Sequence, residues 1–389
     1  MDGLSEVRNP GMWRYISLSL LSQIVVAPVS VRADEVAQAR LPARTYYFPT
    51  ETEWETVAPK SLQLDPEALN EAMDFAFRRK SSSVIILHKG RILAERHQPV
   101  TDPSRQYAAL LHGKSDSGHF VEDVASCQKS VTSILVGMAK QRDLLKLSDP
   151  VSQHLGEGWS EATPQQEEKI TVRHLITMTS GLNDRLRYEA PAGSKWRYNT
   201  NAYSRSLTVV AKVADSTPNE VTRKWLTEPL GMEDSKWVER QLPRIASAAA
   251  NKLGFATTGR DLARFGLFVL TNGTWHDQQI LTDADYLKAS TSPSQSLNPS
   301  YGYLWWLNGQ DFALRGTRRV DGPLISTAPR GLFAAQGALG RKCYVVPAAH
   351  LVVVRLGDSP DRIGQKKFDA EFWRLLRKAA PNSAVGRGR

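Results

Sequence analysis

Ser126 and Lys129 are the residues of this chain whose types and spacing could do chemistry together. They lie in Val124-Ala125-Ser126-Cys127-Gln128-Lys129-Ser130-Val131-Thr132-Ser133-Ile134-Leu135-Val136-Gly137-Met138. Val131, Ile134, Leu135 and Met138 recur at i, i+3, i+4 and i+7, which predicts a helix with one buried stripe and Ser126 in its opening turn. Unpaired backbone N–H groups and the positive end of the dipole at such a turn stabilise an oxyanion. Lys129, three residues on, projects from the same face and reaches the Ser126 oxygen. Burial makes a lysine give up its proton more easily, and a neutral lysine can take the proton of a serine hydroxyl and so activate it. Ser-x-x-Lys occurs about once by chance in a chain this long. A serine at a helix start also commonly serves only as a cap, so the other segments must decide.

Two such segments follow. The first is Pro191-Ala192-Gly193-Ser194-Lys195-Trp196-Arg197-Tyr198-Asn199-Thr200-Asn201, a loop running into a helix. An ammonium beside the phenol of Tyr198 would favour its ionised form, so Tyr198 could shuttle protons between Ser126 and a leaving group; the alternative is a half-buried aromatic with its hydroxyl bonded. The second is Ala335-Gln336-Gly337-Ala338-Leu339-Gly340-Arg341, just before a predicted strand. Glycines there allow close approach of a substrate, and a strand N–H can complete an oxyanion hole with the Ser126 N–H. The alternative is an ordinary glycine turn.

Other residues are weaker candidates. His174 on a short helix reads as a packing or hydrogen-bonding residue, and the remaining histidines are scattered without metal-ligand spacing. Trp305 and Trp306 fit either an acyl pocket or the core. Cys127 and Cys343 sit in apolar surroundings and read as small buried hydrophobes, with a bond between them left open. No G-x-S-x-G, H-E-x-x-H or phosphate loop occurs, which argues against an α/β-hydrolase, a zinc protease or an NTPase.

The elements that must position these residues read as follows. Arg8 and Arg14, the apolar stretch Tyr15 to Val29 and Val31-Arg32-Ala33 describe a secretory signal peptide over residues 1–33, and hence a periplasmic or secreted protein. Residues 34–60 form an arm expected on the surface of the body. Asp65-Pro66-Glu67 opens a helix that Arg78-Arg79-Lys80 close. Val84–Leu87 and Ile92–Glu95 flank Lys89-Gly90 as a hairpin. Thr171 caps a short helix, and further helices are expected over Ala202–Val213, Pro218–Leu226 and Gly259–Leu270. Lys342–Val346 and Leu351–Leu356 form a second hairpin, followed by a helix over Phe368–Ala379 and a disordered tail, 381–389. A lone hairpin is barely stable, so the strands at both ends must share one sheet. The predicted fold is therefore α/β (α+β): an antiparallel sheet domain from 61–120 and 312–380, with a mainly helical insertion, 121–311, carrying the nucleophile helix.

Composition fits an exported globular protein. Hydrophobic residues make up 41% and charged residues 23% of the 389, which is ordinary for a folded domain. The net charge of +10 comes without an arginine-rich run, so nucleic-acid binding is a poor reading. No later stretch is long and apolar enough to span a membrane.

The order Ser126-x-x-Lys129, Tyr198-Asn199-Thr200, Gly337-x-x-Gly340 resembles the serine β-lactamase and penicillin-binding fold, in particular the class C-like serine hydrolases. That family includes esterases, D-amino-peptidases and 6-aminohexanoate-dimer hydrolases. The segments Ile170–Leu182, Thr258–Gly266 and Tyr301–Trp306 are similar to its landmarks, and the resemblance covers Leu62 to Lys378. It implies Ser126 as the acylated nucleophile, Lys129 as base, Tyr198 as second proton carrier, and the N–H groups of Ser126 and Ala338 as the oxyanion hole. Thr200, Gly337, Gly340 and Arg341 would contact substrate, and neither a metal nor an organic cofactor is implied. Thr200 stands where the family has Asn or Ser, and Ala335-Gln336-Gly337 replaces its Lys-Thr-Gly or His-Thr-Gly. Losing that cation points away from β-lactams and D-Ala-D-Ala peptides and towards small esters or amides. The alternatives are a β-lactamase or penicillin-binding peptidase, and a non-catalytic sensor on the same fold.

Overall fold

Asp65 starts the first helix as its sequence requires: its carboxylate accepts from the N–H groups of Glu67 and Ala68, and Pro66 fills the first helical position. The computed structural model describes residues 46–241, 247, 249–361 and 367–380. The expected leader, the first part of the arm (34–45) and the tail lie outside these residues. Helix α1 (Pro66–Arg78) leads into the hairpin β1 (Ser81–His88) and β2 (Arg91–His97). A single turn α2 (Arg105–Ala108) precedes β3 (Leu111–Lys114) and β4 (Phe120–Asp123), and a 3-10 turn, Ala125–Cys127, runs into α3 (Gln128–Lys140). Short helices α4 (Val151–Leu155), α5 (Pro164–Glu167) and α6 (Val172–Ile176) come before α7 (Thr200–Val213) and α8 (Pro218–Thr222). Then follow β5 (Lys236–Glu239), β6 (Leu253–Thr257), α9 (Gly259–Leu270), β7 (Thr274–Trp275), β8 (Gln278–Gln279) and α10 (Ala284–Ser290). The chain ends with β9 (Trp306–Leu307), β10 (Phe312–Arg315), β11 (Arg318–Asp321), β12 (Phe333–Gln336), β13 (Lys342–Val346), β14 (Leu351–Gly357) and α11 (Phe368–Ala379).

The strands from the two ends of the sequence do share one antiparallel sheet, in the order β2-β1-β14-β13-β12-β9. Its central strands read as nearly continuous apolar runs because both faces are covered. Val84 and Ile86 of β1, Tyr344 and Val346 of β13 and Val353 of β14 face a core built with α1 and α11. Ile85, Leu87, Val345, Val352 and Val354 face the opposite core, which holds α3, α7 and α9. Gly266 of α9 lets that helix approach closely: a Cβ there would lie 2.5 Å from Val352 Cγ1 and 2.8 Å from Cys343 Sγ.

A second sheet, β3-β4-β6-β5, lies in the stretch read as mainly helical. These strands have four or five residues each, too few for a period to show, and β4 pairs with β6 more than 130 positions away. β3, inside the part assigned to the first sheet domain, pairs with β4 from the expected insertion, while α9 from that insertion packs on the large sheet. The described part of the arm is less superficial than expected. Tyr46 and Phe48 are buried, the Trp54 indole donates to the Gly90 carbonyl at 2.7 Å, and Val57 N–H donates to Ile92 O at 2.9 Å. Among the described residues no helix is long and apolar enough to cross a membrane.

Candidate active site

The nucleophile turn is built at the end of β4. Val124 N–H bonds the Phe255 carbonyl of β6 at 2.9 Å, and Asp123 accepts the Ala125 N–H at 2.8 Å. Arg240 fixes that carboxylate with two bonds, of 2.7 and 2.8 Å. Ala125 is thereby held at φ 50°, a left-handed conformation that a residue with a Cβ adopts only under constraint. The kink turns the chain from strand into helix with Ser126 at the corner, half-buried. Neither the 3-10 turn nor α3 has a side-chain cap, so Ser126 is not serving as one.

Lys129 donates to Ser126 Oγ at 2.9 Å and to Thr200 Oγ1 at 3.3 Å. Its Nζ lies 4.3 Å from the ring centre of Tyr203 and 4.8 Å from that of Tyr198. Only 2% of the residue is exposed. Burial, and then the positive charge of Arg240, lowers the Lys129 pKa to about 7. At neutral pH a large fraction of this lysine is therefore unprotonated, with its lone pair available beside the serine.

Tyr198 ends the loop before α7, with its phenol near enough to Ser126 for that hydroxyl to act on its pKa. The expectation that Lys129 would favour the phenolate is corrected. Burial raises the Tyr198 pKa, the nearby Ser126 hydroxyl only partly opposes it, and Lys129 is not among the groups that lower it. Tyr198 therefore stays protonated at neutral pH. Asn199, which the sequence reading passed over, anchors the segment. Its Oδ1 caps α7 by accepting from Asn201 and Ala202, and its Nδ2 donates to the carbonyls of Leu182 and Asn183 at 2.9 and 2.8 Å. Tyr203 and Arg240 were also missed. The Tyr203 hydroxyl takes a 2.6 Å bond from Gln128, which also receives Arg240 at 2.9 Å, and so closes the wall around Lys129. Tyr203 lies one turn past Thr200 on α7, a signal the sequence did carry; Arg240 carried none.

The glycine segment divides. Gly337 packs directly on the nucleophile turn: a Cβ there would stand 2.2 Å from the Val124 carbonyl and 3.2 Å from Cys127 Sγ. That contact seats Gly337, at the end of β12, against the residues on either side of Ser126. Gly340 faces elsewhere, at φ 73° with its would-be Cβ 2.8 Å from Pro360. Arg341, expected against substrate, is wholly buried and bonds Glu122 of β4 at 3.1 Å. The reason is geometric: Ala338–Gly340 forms a tight turn with Leu339 at φ 60°, so the chain curls off the cleft after Ala338, before β13 begins. Thr200, expected at a substrate amide, accepts from Lys129 at 3.3 Å.

A cleft of about 340 Å³ opens beside Tyr198, lined by Tyr198, Trp306, Arg315, Gly316, Leu324 and Gln336. Trp306 stacks on Tyr198 with ring centres 5.8 Å apart, whereas Trp305 is buried against Phe265 and Phe333. Trp305 is thus a core residue, whereas Trp306 lines the cleft. His174 completes a capping box with Thr171, and both cysteines are free and buried. One cluster among the described residues could hold a metal. Glu95, His97 and His119 bring ligating atoms within 4.8 Å of one another, although the sequence showed these histidines as scattered. Both Glu95 oxygens already receive Arg260, at 2.7 and 2.8 Å, so a cation there would meet a guanidinium.

The family model described as Beta-lactamase matches residues 69–378. The chain belongs to that family, and it is a serine hydrolase by descent and by fold. Among solved structures, a Bacillus anthracis protein assigned as a 6-aminohexanoate-dimer hydrolase matches with TM-score 0.60 and 16% identity, over 87% of this chain and 89% of its own. A class C β-lactamase in complex with cefoxitin matches with TM-score 0.55 and 16% identity, over 82% and 99%. EstCE1, a hydrolase with promiscuous acyltransferase activity, matches with TM-score 0.55 and 14% identity, over 82% and 98%. At these identities the likeness is one of fold. No curated protein matches the sequence significantly.

Proposed function

We propose that the protein cleaves a small ester or amide through an acyl-enzyme on Ser126. The observation that carries this is the 2.9 Å bond between Ser126 Oγ and a buried Lys129 whose pKa lies near 7. Ser126 Oγ attacks the carbonyl carbon as its proton passes to Lys129 Nζ. The resulting oxyanion sits on the N–H groups of Ser126 and Ala338. Collapse breaks the bond to the leaving group, which takes a proton from Tyr198, and Lys129 returns its proton to Tyr198. Water then gives a proton to the same pair, attacks the acyl carbon and releases the acid, and Ser126 recovers its hydrogen.

Ala335, in the place of the family's cation, favours esters and amides over β-lactams. The neighbour crystallised with cefoxitin keeps the β-lactam reading in play. Faster turnover of nitrocefin than of short-chain 4-nitrophenyl esters would reverse that preference. The primary test is covalent labelling: a fluorophosphonate probe is expected to label the wild type and not Ser126→Ala. Labelling that persists unchanged in the variant removes Ser126 from the mechanism. Residues 1–33 further support export to the periplasm or medium, checked by whether the N-terminus of the protein from cells begins at Asp34.

A further inference from the structure

Arg240, immediately after β5, ties together the segments that meet at the nucleophile. Its Nε and Nη2 donate to the two oxygens of Asp123 at 2.7 and 2.8 Å, and Nη2 also donates to Gln128 Oε1 at 2.9 Å. Asp123 is wholly buried, and its Oδ1 accepts the Ala125 N–H, the bond that bends the chain at the corner before Ser126. Gln128 opens α3, one residue before Lys129. A guanidinium can only donate, so Gln128 turns its oxygen to Arg240 and to the Phe255 N–H at 3.2 Å, and its amide nitrogen away from them. That nitrogen donates to the Tyr203 hydroxyl at 2.6 Å and to the Leu253 carbonyl at 3.1 Å. The ring of Tyr203, whose hydroxyl is fixed in this way, lies with its centre 4.3 Å from Lys129 Nζ.

The donor directions therefore run outwards from one side chain, to the corner that carries Ser126 and, through Gln128, to the wall beside Lys129. Arg240 itself is not among the residues lining the cleft. We infer that Arg240 is a positioning residue for the proposed hydrolysis: one guanidinium sets both the corner bearing Ser126 and the wall that confines Lys129, and it supplies the fixed positive charge against which Lys129 takes up a proton. The inference rests on the hydrolase reading above and adds a residue to its machinery. Around Lys129, Ser126 and Thr200 carry no charge, and burial keeps the Tyr198 and Tyr203 phenols and the Cys127 thiol neutral near pH 7. The charges left are those of the Arg240–Asp123 pair, and the guanidinium is the one that acts on the lysine.

The test compares pH profiles of kcat/KM for 4-nitrophenyl acetate, read at the isosbestic wavelength of 4-nitrophenol, with thermal melting of each variant. Arg240→Gln removes the charge, so Lys129 should hold its proton to higher pH and the midpoint of the rising limb should move up by about half a pH unit or more. Arg240→Lys keeps the charge but not the planar fork. Its midpoint should stay near 7 while kcat falls roughly tenfold or more. Arg260→Gln, which breaks a comparable two-bond pair with Glu95 away from the nucleophile, should move no midpoint. A merely structural role would lower the melting temperature of both Arg240 variants and leave both midpoints in place, and that result overturns the assignment. In Arg240→Lys, which carries the test should Arg240→Gln not fold, an unchanged kcat or a raised midpoint also overturns it. Absence of any turnover that Ser126→Ala removes instead strikes the hydrolase reading, so the two failures are distinct.

Discussion

At the scale of single residues, the chemistry turns on an unusual ammonium. Lys129 is charged in solution up to its ordinary pKa of 10.5 but gives up its proton near pH 7 in the fold, because burial and the Arg240 charge both disfavour the cation. If the neutral amine is the base, kcat/KM should rise with pH through about 7 and then level off. A profile flat from pH 5 to 9 would take Lys129 out of that role. The same shift bears on stability. Below pH 7 the lysine is charged in both states and its burial destabilises the fold in full. Between pH 7 and 10.5 the folded chain binds fewer protons than the unfolded one, so stability rises with pH. Lys129→Met should therefore lower kcat roughly 10²- to 10⁴-fold. It should also stabilise the protein at pH 7 by about 1–3 kcal/mol, read by urea denaturation. Loss of both activity and stability would mean that the amine is structural.

At the scale of elements, close approach decides whether the site assembles. Gly337 has ordinary strand geometry, with φ −123°, so its lack of a side chain matters for space alone. In Gly337→Ala the new methyl would overlap the Val124 carbonyl, a backbone atom that cannot rotate aside. A loss of about 1–3 kcal/mol in stability is expected, together with a drop in kcat as β12 is pushed off the nucleophile turn. A variant that melts and turns over like the wild type would show that the strand end is freer than this packing allows. Elements with local signatures were legible in advance. Asp65 and Pro66 set the start of α1, the apolar stripe set α9, and Phe372, Leu375 and Leu376 set α11. Four-residue strands such as β3 and β5 were not, because their pairing comes from partners far along the chain.

At the scale of the whole molecule, Glu122 fastens one sheet to the other. It lies on β4 of the smaller sheet, wholly buried, and accepts from Ser82 of the larger sheet, from Tyr107, from Arg341 and from the Gly357 N–H. Removing one partner of a buried pair leaves the other charge uncompensated, which costs about 3–5 kcal/mol. Glu122→Gln should reach that range in denaturant, and adding Arg341→Met should recover part of it. Additive losses in the double variant would mean that the two side chains act independently.

The sequence by itself determined what short-range rules can write: the capped helices, the two hairpins, the glycine turn, and the types of the reacting residues, with Ser126 and Lys129 brought together by helical spacing alone. Only the tertiary structure decided which of the distant candidates meet them. It brought Tyr198 and Gly337 to the nucleophile and turned Arg341 inwards to Glu122. It placed Arg315 at the cleft and surrounded Lys129 with enough protein to change its protonation. Burial and long-range charge are properties of the assembled molecule, and no local pattern of residues encodes either.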